Sequence, residues 1–597
     1  MRRVLLIACC VSLAASLSFA GNRNDRRAAR PQPVPLAIDD GVERPSKHSG
    51  GYAPAPVSPT ALTWVVVDSM ANAFSPASRG VKPIAYDSAT NIVAVIHRGA
   101  APYMQGSGEL WYNISRNGGT SWRRVGGLNL GAELLSRYPS CAISNPTNST
   151  DTAAVLFVYA APQLLAGGAA FGRIMYGVDF PIGANLASAF QSSTADESFW
   201  SNVNIWTSNA SPRVNWVIYR RGTVIHDDLC RFTTADYLTI QQGIPSTWAA
   251  TNFNTVFGLD IRGQERNGRQ YFGKWGEWTG DLNDVYNTGY SVSTDGGVNW
   301  STWTRPQPDF RSVPGIGGSK DWWTYGGPGA YSFDMLVDAN NRVHFFGVIE
   351  DTLSFQRDLV EVYETGTGWA SKVVKSNLNT ATLLNYNTLN QMGNHLQASS
   401  NQAGTVMALA WLDGAPGDTL PDIWFSTRRI GDASWSTPSN LTQTPRFAEL
   451  LLHAAPTLRT NSPTSYTIFL GRSYEAGITT YPPTDANKTI FYAASHTFST
   501  TGVAEDQQVP AAFRLEQNYP NPFNPGTTIR YAVPARSHVT LAVFSTLGQL
   551  VATLEEGERE AGTYEVQFDA SGLGSGVYYY RLRAGDLTQT RKLVVMK

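Results

Sequence analysis

Six of the 17 tryptophans fall between residues 275 and 323, close to several carboxylates. Trp275, Glu277, Trp278, Asp281 and Asp284 are followed by Asp321, Trp322 and Trp323. Indole rings stack on the faces of sugars, and a carboxylate pair can serve as acid and nucleophile in glycoside cleavage. The cluster therefore points to a carbohydrate surface contacted by Trp275, Trp278, Trp322 and Trp323. Glu277, Asp281 and Asp284 are the carboxylates a glycosidase would use. Ordinary core packing competes with this reading, because Trp300 belongs to a turn motif and Trp303 to a strand. Ligand binding, to glycan or protein, is the favoured reading, and glycoside hydrolysis is the alternative.

Other chemistries lack their motifs. The chain has no Gly-x-Ser-x-Gly elbow, no His-Glu-x-x-His, no Walker loop and no Cys-x-x-Cys. His226-Asp227-Asp228 reads as a solvated polar run, and no metal or cofactor is expected. With 46 basic against 47 acidic side chains, the net charge of −1 disfavours nucleic acid and anionic membranes as partners.

The elements that must position these residues are strands. Aromatic residues make up 11% of the 597 residues, with 54 Gly and 33 Pro, a composition of strands and tight turns. A short aromatic strand recurs, as in Leu110–Ser115, Arg173–Tyr176, Asp422–Ser426 and Thr489–Tyr492. Its anchors Tyr112, Tyr176, Phe232, Tyr290, Tyr363, Phe425 and Tyr492 define a repeat of roughly sixty residues, the mark of an array.

Before most anchors lies an apolar strand, such as Ile92–Ile96, Ala153–Tyr159, Val406–Trp411 or Tyr466–Leu470. Before that comes one rich in small residues, such as Pro83–Tyr86, Pro139–Ala142 or His395–Ala398. After the anchors, Trp122, Trp300, Trp369 and Trp435 open a fourth strand. Four short strands repeated radially predict a β-propeller over residues 61–500, of seven blades, with six as the alternative. Thr63–Asp68 stands alone ahead of the first unit and is placed to complete the last blade. Cys141 falls on an inner strand and Cys230 on an outer strand of a later unit, so two buried thiols are expected rather than a disulfide.

Ser293-Thr294-Asp295-Gly296-Gly297-Val298-Asn299-Trp300 fits the pattern Ser-x-Asp-x-Gly-x-x-Trp, and Ser115 to Trp122 fits it with Asn117 in place of Asp. Each begins three residues after its anchor tyrosine. In these turns Ser115, Asn117, Trp122, Ser293, Asp295 and Trp300 have a structural role, the Asp or Asn capping backbone while Trp packs beneath. On these motifs the region resembles the Asp-box propellers of the sialidase-like superfamily. That family's Phe/Tyr-Arg-Ile-Pro segment is missing, since Arg79 and Arg98 lie in unrelated contexts, so no catalytic residue carries over. Arg137, Arg220 and Arg221 remain as arginines able to grip a carboxylate from other blades.

The two ends of the chain carry addresses. Met1-Arg2-Arg3, an apolar run to Leu17 and small residues to Ala20 read as an export signal over residues 1–20. Residues 21–60 are a Pro-rich disordered linker and 501–512 a second, polar linker. From Phe513 onward, alternating strands at Val539–Phe544, Tyr564–Phe568 and Val577–Leu582 predict a small Ig-like β-sandwich over residues 513–597. Asn518-Tyr519-Pro520-Asn521-Pro522-Phe523-Asn524-Pro525, Leu547-Gly548, Gly576-Val577-Tyr578 and the terminal Lys592 to Lys597 closely resemble the C-terminal sorting domain of type IX secretion substrates. The resemblance implies recognition by that secretion machinery through residues 513–597 and delivery to the outer cell surface or the medium. No transmembrane segment is expected once the signal is removed.

Overall fold

The computed structural model describes residues 62–70, 81–99, 108–129, 135–164, 171–191, 198–208, 213–221, 227–234, 241–242, 260–277, 286–307, 309–317, 319–322, 333–379, 394–414, 421–442, 450–474, 489–500, 513–518, 520–533, 537–559, 562–585 and 587–596. The chain divides into two compact units at Thr500/Thr501. Among the described residues no helix is long and apolar enough to cross a membrane.

The first unit is a β-propeller built from antiparallel meanders. Sheet one runs Ile84–Asp87, Ile92–Arg98, Leu110–Ser115, Arg123–Gly127, and sheet two runs Ser140–Ser144, Leu156–Leu164, Phe171–Asp179, Ser188–Gln191. Sheet three is Ser198–Ser208, Arg213–Arg221, Asp227–Thr234, Gln241–Gln242. Sheet four is Asp260–Arg266, Arg269–Glu277, Tyr286–Ser293, with a bridge from Tyr290 to Thr304 in the place of a fourth strand. Sheet five is Phe333–Val337, Val343–Asp351, Arg357–Glu364, Trp369–Lys375, and Lys320–Trp322 also pairs with its second strand. Sheet six is Gln397–Asn401, Val406–Gly414, Pro421–Arg429, Ser439–Asn440. The last meander joins Leu450–Ala454 and Thr457–Ser462 to Ser465–Tyr474 and Thr489–Ser499, and sheets six and seven touch through a short parallel pairing of Ser400 with Thr457.

The first strand of each sheet lies beside the first strand of the next, and Thr457–Ser462 lies beside Ile84–Asp87, so the ring closes. Closure is sealed by Val65–Met70, which pairs antiparallel with Thr489–Ser499. Apolar side chains fill the wedges between neighbouring sheets. Tyr112, for example, stacks on Phe157 across sheets one and two at 4.0 Å, and Phe425 meets Phe498 across sheets six and seven. Burying one such aromatic contributes about 1.5–3 kcal/mol. At Gly263 a Cβ would lie 2.1 Å from the Trp206 ring, so only glycine lets sheets three and four approach this closely.

All seven anchors lie on third strands, but not at one height. Tyr112, Tyr176, Tyr290 and Phe425 pair with Ile96, Ala160, Gly273 and Ala410, each the fifth residue of its second strand. Tyr363 pairs with His344, beside the turn. A second difference concerns the strand expected from Ala153. It begins at Leu156, because the Asp151 side chain accepts from the Ala153 amide and caps a 3-10 turn over Thr152–Ala154.

The second unit is a two-sheet sandwich. Arg514–Leu515, Gly526–Val533 and Gly562–Asp569 form one sheet, and Leu550–Arg559, Ser537–Ser545, Gly576–Ala584 and Leu587–Val595 form the other. Leu515, Ile529, Tyr531, Leu541, Tyr580 and Leu593 meet between them. The Asn-Pro segment fastens the C-terminal strand. Phe523 is buried and pairs in parallel with Val595, Asn521 Oδ1 accepts from the Val594 amide at 2.9 Å, and the Tyr580 hydroxyl accepts from the Asn518 amide at 2.8 Å.

Candidate functional site

A cavity of about 230 Å³ occupies the propeller axis and is lined from the first strands of all seven sheets. These strands are sheet edges, and an unpaired edge amide must find an acceptor. Side chains of the ring supply it. Asn204 Oδ1 accepts from Gly263 N at 2.8 Å, Gln264 Oε1 from Val337 N at 2.8 Å, Asp334 Oδ2 from Ala398 N at 2.9 Å, and Gln397 Oε1 from Ala454 N at 3.4 Å. Each polar side chain thus stitches its sheet to the next one.

The stitch becomes ionic at Asp334. Lys82 Nζ of sheet one donates to Asp334 Oδ2 at 2.7 Å and to Gln397 Oε1 at 3.1 Å, while Arg262 Nε of sheet four donates to Asp334 Oδ1 at 2.7 Å. Burial works against the Asp334 charge, but the Lys82 and Arg262 cations outweigh it and hold the carboxyl below its ordinary range. With Met335 N also donating, each carboxylate oxygen accepts two hydrogen bonds. Such a group is a clamp across the channel and a poor proton carrier.

The two ends of the channel differ. At one, the strands are joined by tight turns such as Asn267-Gly268 and the boxes at Ser115 and Ser293. At the other, where Lys82 and Asp334 sit, the second strands end and the first strands begin. On or just before the two innermost strands at that end, Arg98, Arg137, Lys274 and Arg472 are buried with Lys82 and Arg262, against the acids Asp334, Glu350 and Asp413. The cations concentrate on sheets seven, one and two, where Arg472 stacks over Trp64 at 4.1 Å. The acids belong to sheets five and six. Glu350 is paired with Arg357 at 2.7 Å, and burial pushes Asp413 up to about 7.

The predicted ligand platform meets the structure in part. Trp275 and Trp322 are 4% and 3% exposed and pack in the core between sheets four and five, Trp275 against Phe333 and Trp322 against Phe310 at 4.8 Å. Neither presents an indole face to a ligand, which corrects the expectation for these two. Glu277 ends its strand at the cation-bearing end of the channel, and its side chain lies outside the described residues, as do Trp278, Asp281, Asp284 and Trp323. Arg137 is buried beside the channel end. Arg220 and Arg221 are on the second strand of sheet three, with side chains outside the described set. Cys141 is a buried free thiol on the first strand of sheet two; Cys230 is on a third strand. Among the described residues, no group of three His, Cys, Asp or Glu side chains could hold a metal.

The two Ser-x-Asp/Asn turns share one hydrogen-bond pattern. Ser115 Oγ and Ser293 Oγ each accept from the second glycine amide at 2.8 Å, and Trp122 Nε1 and Trp300 Nε1 each donate to that glycine's carbonyl at 3.1 Å. Asn117 Oδ1 accepts from Ser121 N at 3.0 Å, as Asp295 Oδ1 does from Asn299 N at 2.9 Å. Gly119 and Gly297 adopt φ of 88° and 90°, which a side chain would strain.

Sequence reasoning missed Lys82, Arg262 and Asp334. Their signal is a lone charge inside a short apolar run, as in Val81-Lys82-Pro83-Ile84 and Phe333-Asp334-Met335-Leu336.

A family model of the secretion system C-terminal sorting domain matches residues 517–596. This domain marks proteins exported by type IX secretion to the cell surface or extracellular space, and the chain carries it. No curated protein matches the chain. Among solved structures, an α-L-arabinofuranosidase from Fusarium graminearum is similar at 11% identity and a TM-score of 0.34, over 62% of this chain and 99% of that one. An α-L-arabinanase from Penicillium chrysogenum is similar at 10% identity and a TM-score of 0.32, over 73% and 98%. The Aleuria aurantia lectin is similar at 10% identity and a TM-score of 0.28, over 56% and 91%.

Proposed function

We propose that this chain is a type IX cargo whose seven-bladed, Asp-box propeller is a binding head for acidic glycan or protein ligands, held at the cation-bearing end of the channel. In this reading residues 1–20 are the export signal, and the sorting module over 513–597 is Ig-like. The observation that supports the ligand class is the arc of buried cations Arg472, Arg98 and Arg137 on sheets seven, one and two. Cations held in a low-dielectric wall focus a positive potential on the adjacent surface and draw anions to it. Trp278 and Trp323 supply aromatic contact in the same reading.

A secreted glycoside hydrolase is the second reading, and it rests on Glu277 at the rim of that end with Asp281 and Asp284 next in sequence. The test is a glycan array on the propeller, at low and high salt, beside turnover assays. Binding to carboxylated glycans that weakens with salt is expected. Preference for neutral glycans refutes the acidic ligand class, no binding at any salt refutes the glycan ligand, and turnover abolished by Glu277→Gln establishes the hydrolase instead.

A further inference from the structure

The sorting module has two outward faces of opposite character. On the three-stranded sheet, the residues alternating with the core positions Thr527, Ile529, Tyr531 and Val533 are Thr528, Arg530 and Ala532, set opposite Gln567, Glu565 and Thr563. Thr528 and Arg530 make that row polar. On the four-stranded sheet, Val539, Leu541, Val543, Tyr580 and Leu582 point into the core, so their neighbours point out. Phe544 pairs with Leu550 on one side and Tyr579 on the other, and Tyr579 pairs with Lys592. An apolar row therefore crosses the sheet to Lys592, with the Val577/Val594 pair beside it. Leu550 is 60% exposed, Tyr579 40% and Val577 37%.

The rim of this row is mostly basic, with Glu556 across Thr540 from Arg583. Arg581 lies over the Phe544 ring at 5.0 Å, and Arg583 and Lys592 are exposed on the same face. These groups lie outside the core cluster that joins the two sheets. Contiguous exposed aromatic and aliphatic side chains with a charged rim are the mark of a protein-binding patch.

We propose that the outward face of the four-stranded sheet, centred on Phe544, Tyr579 and Val577, is where a protein of the export machinery docks, through an apolar patch of its own rimmed by carboxylates that meet Arg581, Arg583 and Lys592. The proposal rests on the sorting role of this module, and it selects one of the module's two faces. Aromatic anchors carry most of such an interface, and the basic rim sets its orientation and salt dependence.

The experiment compares full-length variants expressed in a host that has type IX secretion, reading the protein in the medium, at the cell surface and in the periplasm. Removal of residues 513–597 tests the sorting role itself. If that truncation is still exported, both the role and the face fail together. If it is retained, the double variant Phe544→Thr/Tyr579→Thr decides the face. Export should fall about tenfold or more, as expected on removing two interface anchors, with folded protein accumulating in the periplasm, while Arg530→Glu on the polar face is exported normally. Normal export of the double variant overturns the proposal. Should the double variant lose its circular dichroism, Lys592→Glu at an exposed position replaces it, with reduced export expected and unchanged export again refuting the face. Sedimentation of the same proteins separates self-association, since a dimer abolished by the double variant with export intact assigns the patch to a second copy of this chain and overturns the proposal.

Discussion

Among the described residues the sandwich buries only two polar side chains, Asn518 and Thr527, whereas the propeller buries Asp68, Lys82, Arg98, Arg262, Asp334, His344, Glu361, Arg428 and many more. The contrast follows from where each fold puts its sheet edges. The sandwich has its edges on the outside of the fold, and its own Asn-Pro segment pairs with the one along the C-terminal strand. The propeller gathers its inner edges around a shared axis, where side chains carry hydrogen bonds from one sheet to the next and the charges among them must be paired. The same holds between sheets. The Tyr112 hydroxyl bonds Asp179, Tyr290 bonds Glu364, and Glu361 gathers His344, Arg428 and Trp435 across sheets five and six. Asp68 on the closing strand binds Arg124 of sheet one at 2.6 Å and lies 3.5 Å from His97. A ring stabilised by buried ions should respond to charge and pH where the apolar sandwich does not.

The largest effect expected is at the clamp. Asp334→Ala leaves Lys82 and Arg262 buried without their counter-charge, at a cost of about 3–5 kcal/mol. All 17 tryptophans precede residue 436, so indole fluorescence in denaturant reports the propeller alone. A shift of the fluorescence midpoint with no change in hydrogen exchange over residues 513–596 is expected. A loss below about 1 kcal/mol, the scale of an ordinary surface change, would show that the channel charges are solvated.

Acid should separate the units next. In Asp68, Asp334 and Glu361 burial raises the pKa, but it is outweighed, by hydrogen bonds to His97 and Arg124, by the Lys82 and Arg262 cations and by His344 with Arg428, respectively, and all three end below the ordinary carboxylate value. A carboxylate with a lowered folded pKa gives stability that is present above its unfolded pKa, near 4, and lost as pH falls through the folded value. The propeller's fluorescence midpoint should therefore fall steeply below about pH 4, while exchange protection in the sandwich changes little. His344 has the opposite sign. Burial opposes its charge, but Asp338 and Glu361 raise its pKa, so its contribution is present below the ordinary histidine value and lost as pH climbs through the raised one.

In the sandwich, Asn518→Ala removes donors to Pro520 O at 3.1 Å and to Thr527 Oγ1 at 2.9 Å. A loss of about 0.5–1.5 kcal/mol is expected for the two hydrogen bonds removed, since Thr527 Oγ1 still donates to Pro520 O, read as faster exchange over 513–596 with the fluorescence midpoint unmoved. If that midpoint moves too, the two units do not unfold independently.

Much of this architecture was legible from residue types. The anchor aromatics are spaced by the meander itself, so their period survives in the sequence. Of the tryptophans expected to open fourth strands, Trp369 does so, Trp122 and Trp435 precede theirs, and Trp300 lies in the sheet with a bridge in that place. The lone strand at Val65 was legible for a related reason, since a strand without a hairpin partner nearby must pair at a distance. The channel was not legible, because Asn204, Gln264, Asp334 and Gln397 serve edge amides of neighbouring sheets, and no local pattern records a neighbour more than fifty residues away. Inner strands rich in small residues were expected, and beside such residues Lys82, Trp206 and Met335 also line the axis. Trp275 and Trp322 misled for a simpler reason, because composition counts indoles without saying which side of the sheet they take. Leu550–Arg559 and Leu587–Val595 were not read as strands because threonine and charged residues break their apolar alternation, and the alternating Gly526–Val533 and the two-residue Arg514–Leu515 were missed as well.

The smallest effect concerns the two box turns, where the same comparison between charged and neutral polar groups can be made within one propeller. Burial, the largest single influence, opposes the Asp295 charge, but hydrogen bonds from Asn299, Ser293 and Val298 together outweigh it and bring its carboxyl down to about 2. Asn117 holds the equivalent place without a charge, taking the Ser121 amide on Oδ1 and giving Nδ2 to Ser121 Oγ at 2.8 Å. Either residue replaced by Ala should cost about 1 kcal/mol, the typical loss of one capping hydrogen bond. Asn117→Asp should be nearly neutral, within about 0.5 kcal/mol, because the Ser121 hydroxyl can turn to donate to the new oxygen. Its pH dependence is the sharper readout. The introduced carboxylate would accept the same amide that lowers Asp295, so the variant should gain slightly over wild type at pH 7 and lose that gain as pH falls below about 4. A variant less stable than Asn117→Ala at pH 7 would mean that the first turn tolerates no charge, and that the two boxes are alike in shape but not in electrostatics.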